Sequence, residues 1–211
     1  MGVIASAPQR VGLFGGAFDP PHDAHLALAR AAIETLQLDR LHVVPTGDAW
    51  HKSRPLSPAA DRLAMCRLAF GGLPGVVVDD RELRRDGPTY TIDTLTELRA
   101  QYPGAALFLQ IGADQAAAFH TWRRVDEILQ IASVSIAARV AHEGAGAEFD
   151  LEHPLPGLNP DPARIHLLAL PPMPHSATEV RRRVAAGLPI DDLVPPAVAG
   201  YIAKHHLYLT P

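Results

Sequence analysis

The run Val11-Gly12-Leu13-Phe14-Gly15-Gly16-Ala17-Phe18-Asp19-Pro20-Pro21-His22-Asp23-Ala24-His25 holds residue types that can cradle a phosphate chain. An apolar stretch ends in two glycines, an Asp-Pro-Pro turn follows, and two histidines open an amphipathic helical pattern. Gly15 and Gly16 lack a Cβ, so an anion can approach bare backbone there. A helix start presents free N–H groups and the positive end of a dipole. Residues i and i+3 share a helical face, so His22 and His25 can address one ligand. A plain βα turn with surface histidines would show some of these features. Two glycines, a rigid turn and paired histidines within eleven residues are hard to explain by packing alone. A structural zinc site needs four ligands, usually with cysteine, and no cysteine lies near. The spacing is neither a P-loop nor a Gly-x-Gly-x-x-Gly dinucleotide turn.

The elements that must position this cradle follow from the pattern around it. Hydrophobic residues make up 47% and charged residues 20%, an ordinary globular balance, and 211 residues suffice for one domain over 1–211. A net charge of −4 argues against a general nucleic-acid binder, so an anion site must be local. The lone cysteine, Cys66, excludes an intrachain disulfide and reads as a buried thiol. Neither a signal peptide nor a membrane-length apolar run is expected, and a cytoplasmic protein follows as the default. Strands are predicted at Val11–Phe14, Leu41–Val44, Val76–Val78, Leu107–Ile111, Val134–Ala138 and Ile165–Leu170. Helices are predicted from Leu26 to Leu36, at Pro58–Phe70 (Leu63, Cys66 and Phe70 inward), Ile92–Gln101, Val125–Ala132, Ser176–Ala186 and Ala197–His206. The alternation predicts an α/β fold with a doubly wound, mostly parallel sheet, and ligands beyond the strands' carboxyl ends. Residues 141–163, punctuated by Gly and Pro, read as a surface excursion.

Four further groups sit where that rule puts ligands. After the second strand, Lys52 could reach a phosphate as a flexible point charge, or simply lie in a solvated loop. After the third, Thr89-Tyr90-Thr91 precedes a helix that Thr91 suits as a cap. After the fourth come Gly112-Ala113-Asp114, where Asp114 could cap a helix, and then Trp122-Arg123, where Trp122 could be core. After the sixth, Ser176 and Glu179 form a capping-box pattern, followed by Arg181 on a basic face. A helix start with hydroxyls and an arginine is also an anion site.

The ordered set of these motifs, from Val11 to Tyr208, resembles the bacterial nicotinate-nucleotide adenylyltransferases of the nucleotidylyltransferase superfamily, a Rossmann-like fold. Their opening Gly-Gly-x-Phe-Asp-Pro-x-His-x-Gly-His is matched except at Ala24, which replaces a glycine. His51-Lys52 matches the end of their Pro-Pro-His-Lys/Arg motif, with Ala49 and Trp50 in place of the prolines. The resemblance implies that ATP is held by Gly15, Gly16, Ala17, Phe18, His22, His25, Gly112, Asp114, Ser176, Thr178 and Arg181. It implies that nicotinate mononucleotide meets Gly16, Lys52, Thr89, Tyr90, Thr91, Trp122 and Arg123, with Trp122 flat on the pyridine ring. His22, His25, Lys52 and Arg181 would then stabilise adenylyl transfer, in NAD biosynthesis, giving deamido-NAD and pyrophosphate. Magnesium is expected as cofactor, bound through phosphates and water, with no protein residue assigned to a metal. Nicotinamide mononucleotide or pantetheine phosphate as acceptor, or a non-catalytic nucleotide-binding protein, are the alternatives. The expected partners are ATP and the mononucleotide, with no nucleic acid and no membrane. A homo-oligomer stays open.

Overall fold

The structure is a computed structural model that describes residues 9–47, 55–139, 150, 152–171, 173 and 175–209. Its strands are β1 (Arg10–Gly16), β2 (Arg40–Pro45), β3 (Val76–Val78), β4 (Ala106–Gly112), β5 (Ala132–Arg139) and β6 (Ile165–Leu170). Its α-helices are α1 (Asp23–Leu36), α2 (Ala59–Phe70), α3 (Thr91–Gln101), α4 (Ala113–Ala117), α5 (Val125–Ile131), α6 (Ala177–Ala185) and α7 (Pro196–Lys204). Single 3-10 turns occupy Phe119–Thr121 and Pro162–Arg164.

The strands form one sheet in the order β3-β2-β1-β4-β5-β6, and every described pairing is parallel. The chain winds outward from β1 to β3 and then returns to lay β4 on the other side of β1. Connections therefore leave β1 and β4 in opposite directions, which opens a crevice at the carboxyl ends of these two strands. The cradle sequence begins at the end of β1, directly at that crevice. Among the described residues no helix is long and apolar enough to cross a membrane.

Each face of the sheet has its own core. Phe14, Val43 and Phe108 pack with α1, α2, α6 and α7. Val11, Leu13, Leu107 and Leu109 pack with α3, α5 and the Phe119 turn. The period-2 alternation along β1 and β4 thus sends neighbouring residues to opposite layers. Cys66 is fully buried, and burial pushes its thiol up.

Several elements differ from the sequence pattern. β1 runs on through Gly15 and Gly16, so the glycines end the strand rather than opening a loop. α5 stops at Ile131 and β5 starts at Ala132 with no connecting residue. α4 shows no sequence periodicity, since five residues are too few to carry one. In α2 the buried set is Arg62, Met65, Cys66, Ala69 and Phe70, while Leu63 is only partly covered. Arg62 turns inward because its Nε and Nη1 donate to the carbonyls of Ser57 and Ala17, both at 3.0 Å. Within the expected surface excursion Leu155 is buried against the second core, while 140–149 and 151 lie outside the described residues.

Phe70 is fully buried, with Phe14 and Phe18 edge-on at 6.4 and 5.6 Å between ring centres. Phe70→Ala is expected to lower stability by about 3–5 kcal/mol, read from the urea unfolding midpoint.

Candidate active site

The cradle is built on an aromatic foundation. Phe18 adopts a left-handed backbone (φ 46°), a conformation that costs a bulky residue roughly 1–3 kcal/mol. Its buried ring packs against Phe14, Phe70 and His25, at 5.3, 5.6 and 5.1 Å, and this packing offsets the strain. A Cβ on Gly16 would stand 3.0 Å from that ring, so any side chain at residue 16 would press on Phe18. A Cβ on Gly15 would meet nothing within 4 Å, so Gly15 faces the open crevice.

Asp19 ties the turn to the rest of the molecule. It is 2% exposed, and its Oδ1 accepts from the Tyr208 hydroxyl at 2.6 Å. Its Oδ2 accepts from the Ser57 N–H at 3.2 Å, and its carbonyl accepts from Arg181 Nη1 at 2.7 Å. Of the three arginines on α6, Arg182 and Arg183 pair with Glu179, while Arg181 turns to the cradle and to Thr178 Oγ1. The full capping box expected at Ser176 is only half formed. Ser176 Oγ accepts from the Glu179 N–H at 3.1 Å, but the Glu179 carboxylate is taken by the two arginines.

His22 and His25 stack, with ring centres 3.7 Å apart. The His22 N–H donates to His25 Nδ1 at 3.2 Å, so a neutral His25 ring carries its proton on Nε2. His22 Nδ1 is buried with no hydrogen-bond partner among the described residues. Burial pushes His22 down to about 4, helped by repulsion from His175. Burial, with repulsion from His22, holds His25 well below its ordinary range. Both rings are therefore neutral at pH 7. His175, not among the expected site residues, stands close by, its Nε2 donating to the Asp192 carbonyl at 2.9 Å. The neighbouring Leu193 carbonyl accepts from the Asp23 N–H at 3.0 Å, so one short segment holds the starts of both α1 and α6.

A second corner lies across the crevice. The Thr46 N–H donates to the Gly16 carbonyl at 2.9 Å, and a Cβ on Gly47 would stand 3.0 Å from Thr89 Cγ2, so the exit of β2 links the cradle to Thr89. The Arg123 guanidinium lies over the Tyr90 ring at 4.5 Å, a cation–π contact. Trp122 is half-buried, tilted against Phe119 at 5.0 Å, and so serves the core whatever else it touches. Thr91 is not the cap expected of it: Tyr90 is the N-cap residue of α3, and no side chain caps that end. The Thr89 hydroxyl is directed to Glu82. Gly112 precedes α4, and Asp114 is exposed in its first turn, so Asp114 is not the cap either. Lys52 lies outside the described residues.

Sequence reasoning missed Arg62, Glu82, His175 and Tyr208. His175 directly precedes the expected Ser176, while Arg62, Glu82 and Tyr208 carry no local signal of a role in the site.

A family model described as cytidylyltransferase-like matches residues 13–183. A relative from Albidiferax ferrireducens, named "Probable nicotinate-nucleotide adenylyltransferase", is 54% identical over 96% of this chain and 99% of its own. The chain belongs to the nicotinate-nucleotide adenylyltransferase family. A relative of the same name from Methylibium petroleiphilum is 39% identical over 98% of this chain and 96% of its own. Among solved structures, the Plasmodium falciparum nicotinic acid mononucleotide adenylyltransferase complexed with NaAD superposes with a TM-score of 0.74. That match has 18% identity and covers 96% of this chain and 98% of the other, which supports the fold.

The depressed histidines fix a pH dependence. An unfolded chain takes up protons near 6.5, whereas folded His22 does so only near 4, so the unfolded state binds more protons in between. Stability is expected to fall as pH drops from 6.5 to about 4, and His22→Asn should flatten that slope in urea titrations across the window.

Proposed function

We propose that this protein transfers the adenylyl group of ATP to nicotinate mononucleotide, releasing deamido-NAD and pyrophosphate. The observation that carries this reading is the pairing of two unlike corners on one crevice. The neutral His22–His25 pair beside Arg181 lines one side of the crevice, and an aromatic corner that carries Arg123 lies across it. The first suits a polyphosphate; the second suits a flat aromatic acid.

The reaction needs positioning more than acid–base chemistry. A 5′-phosphate oxygen of the mononucleotide attacks the α-phosphorus of ATP in line, and the bond to the bridging oxygen breaks. The electron pair leaves with pyrophosphate, and no proton has to move, because the nucleophile is already an anion. What the protein supplies is donors aimed at oxygens that gain charge. His25 Nε2–H and the His22 ring face the α-phosphoryl group. Gly15, Gly16, Ala17 and Phe18 offer backbone, and Ser176, Thr178 and Arg181 receive the β- and γ-phosphates at the start of α6. Gly112 and Asp114 approach the ribose, and Lys52, which follows β2 in the sequence, is the further cation assigned to phosphate. The acceptor's carboxylate lies by Thr89, Tyr90, Thr91 and Arg123, and Trp122 stacks on its ring.

Magnesium fits this donor set as a passenger of the phosphates. Among the described residues no three ligating side chains gather, and imidazole N–H and backbone N–H groups bind phosphate oxygen rather than a hard cation. Held by the phosphates and water, with no side chain among the described residues as a ligand, the ion would supply charge neutralisation to the pyrophosphate oxygens.

Pyrophosphate release from ATP with nicotinate mononucleotide tests the assignment. The acid should exceed the amide by at least about tenfold in kcat/KM, since a carboxamide NH₂ would face donors in a closed site. Equal kcat/KM for acid and amide removes the acceptor assignment; no release with either removes the reaction.

His25→Ala should lower kcat by about a hundredfold, the usual loss for one transition-state donor. A folded variant with wild-type kcat would take that role away from His25.

A further inference from the structure

We propose that Glu82 is a positioning residue for the acceptor corner: its carboxylate locks Thr89, and through it Tyr90 and Arg123, in the geometry that receives the acceptor's acid group. This rests on the reading of the acceptor as a pyridine mononucleotide. Glu82 is 6% exposed, and a buried carboxylate is costly unless donors surround it. Thr94 Oγ1 donates to Glu82 Oε1 at 2.7 Å, and the Thr89 hydroxyl is bonded to the same carboxylate. Arg85 completes the surround, donating to Thr94 Oγ1 at 3.2 Å and to Glu97 at 2.6 Å. The main-chain side of Glu82 is equally engaged. A Cβ on Gly47 would fall 2.2 Å from the Glu82 carbonyl oxygen, so the β2 exit fits only because residue 47 has no side chain. One residue therefore fixes three segments at once: the β2 exit, the loop ahead of α3, and α3 itself.

Packing does not account for a carboxylate here. Ile92, Leu95 and Leu98 already bury the inner face of α3, and what surrounds the Glu82 side chain is polar: Thr94, Thr89 and Arg85. What only an acceptor can do is aim two hydroxyls. Thr89 precedes Tyr90, and the Arg123 guanidinium rests on the Tyr90 ring, so the placement of that positive charge follows from the Glu82–Thr89 bond. The nucleotide cradle is held by Tyr208, Ser57, Arg62 and Arg181, and no described hydrogen bond joins any of these to Glu82. Loss of Glu82 should thus separate the two substrates.

The experiment measures KM for nicotinate mononucleotide and for ATP in the full-length wild type, Glu82→Ala, Glu82→Gln and Thr94→Val. Glu82→Ala should raise KM for the mononucleotide by about tenfold and leave KM for ATP within about twofold. Glu82→Gln, whose side-chain carbonyl still accepts a hydroxyl, should recover most of the loss. The two constants rising in step, or neither moving, overturns the proposal. If Glu82→Ala does not fold, Thr94→Val decides: about a threefold rise for the mononucleotide alone supports positioning, and any other result overturns it. A wild type inert toward nicotinate mononucleotide fails the functional reading itself, and the wild-type measurement alone tells that outcome apart.

Discussion

The buried Asp19 carboxylate is the constraint on which the rest of the site depends. A charge at 2% exposure would be driven to neutralise or to unfold its surroundings if its oxygens lacked donors. Its donors come from far apart: the Tyr208 hydroxyl beyond α7 and the Ser57 N–H ahead of α2. Arg62 braces the same turn at Ala17, and Arg181 from α6 braces the Asp19 carbonyl. The cradle can thus close only when three helices on one face of the sheet have docked. Tyr208 shows this dependence from the other side, since its hydroxyl is pushed to a higher pKa by burial and by the carboxylate it serves.

Burial also sets the chemical character of the histidines. His22 and His25 are kept neutral by desolvation rather than by a carboxylate partner, and the His25 ring carries its N–H at Nε2. Fixed positive charge comes from Arg181 at the turn. A donor already oriented in a low-dielectric site needs no reorganisation when charge develops on a phosphoryl oxygen, which is where such groups gain most of their effect.

The opposite side of the crevice is braced by a polar strut along α3. His42, buried in β2, bonds Tyr102 at 3.0 Å and Asp79 at 2.7 Å. Burial opposes ionisation of Asp79, but bonds from His42 and Arg81 outweigh it and hold the carboxyl well below its usual range. Arg81 and Arg85 then meet on Glu97, and Arg85 reaches Thr94 beside Glu82. The loop from Asp79 to Thr91 is consequently shaped by directional bonds rather than by apolar area.

The sequence by itself determined what short-range pattern can encode. The strands Val76–Val78 and Ile165–Leu170, the alternation of strands with helices, and the Gly-Gly…His-x-x-His cradle were legible because periodicity and turn chemistry act within about ten residues. Tertiary structure decided the rest. Tyr208 and Asp19 are 189 positions apart, and nothing near either announces the other. Arg62 reads as the polar face of a helix until the carbonyls of Ala17 and Ser57 are beside it. Thr91 reads as a cap, yet the backbone places Tyr90 there and turns Thr89 toward Glu82. In each case the deciding partner is a buried polar atom from a distant segment. Such atoms demand hydrogen bonds only once water has been excluded, and only the folded chain excludes it.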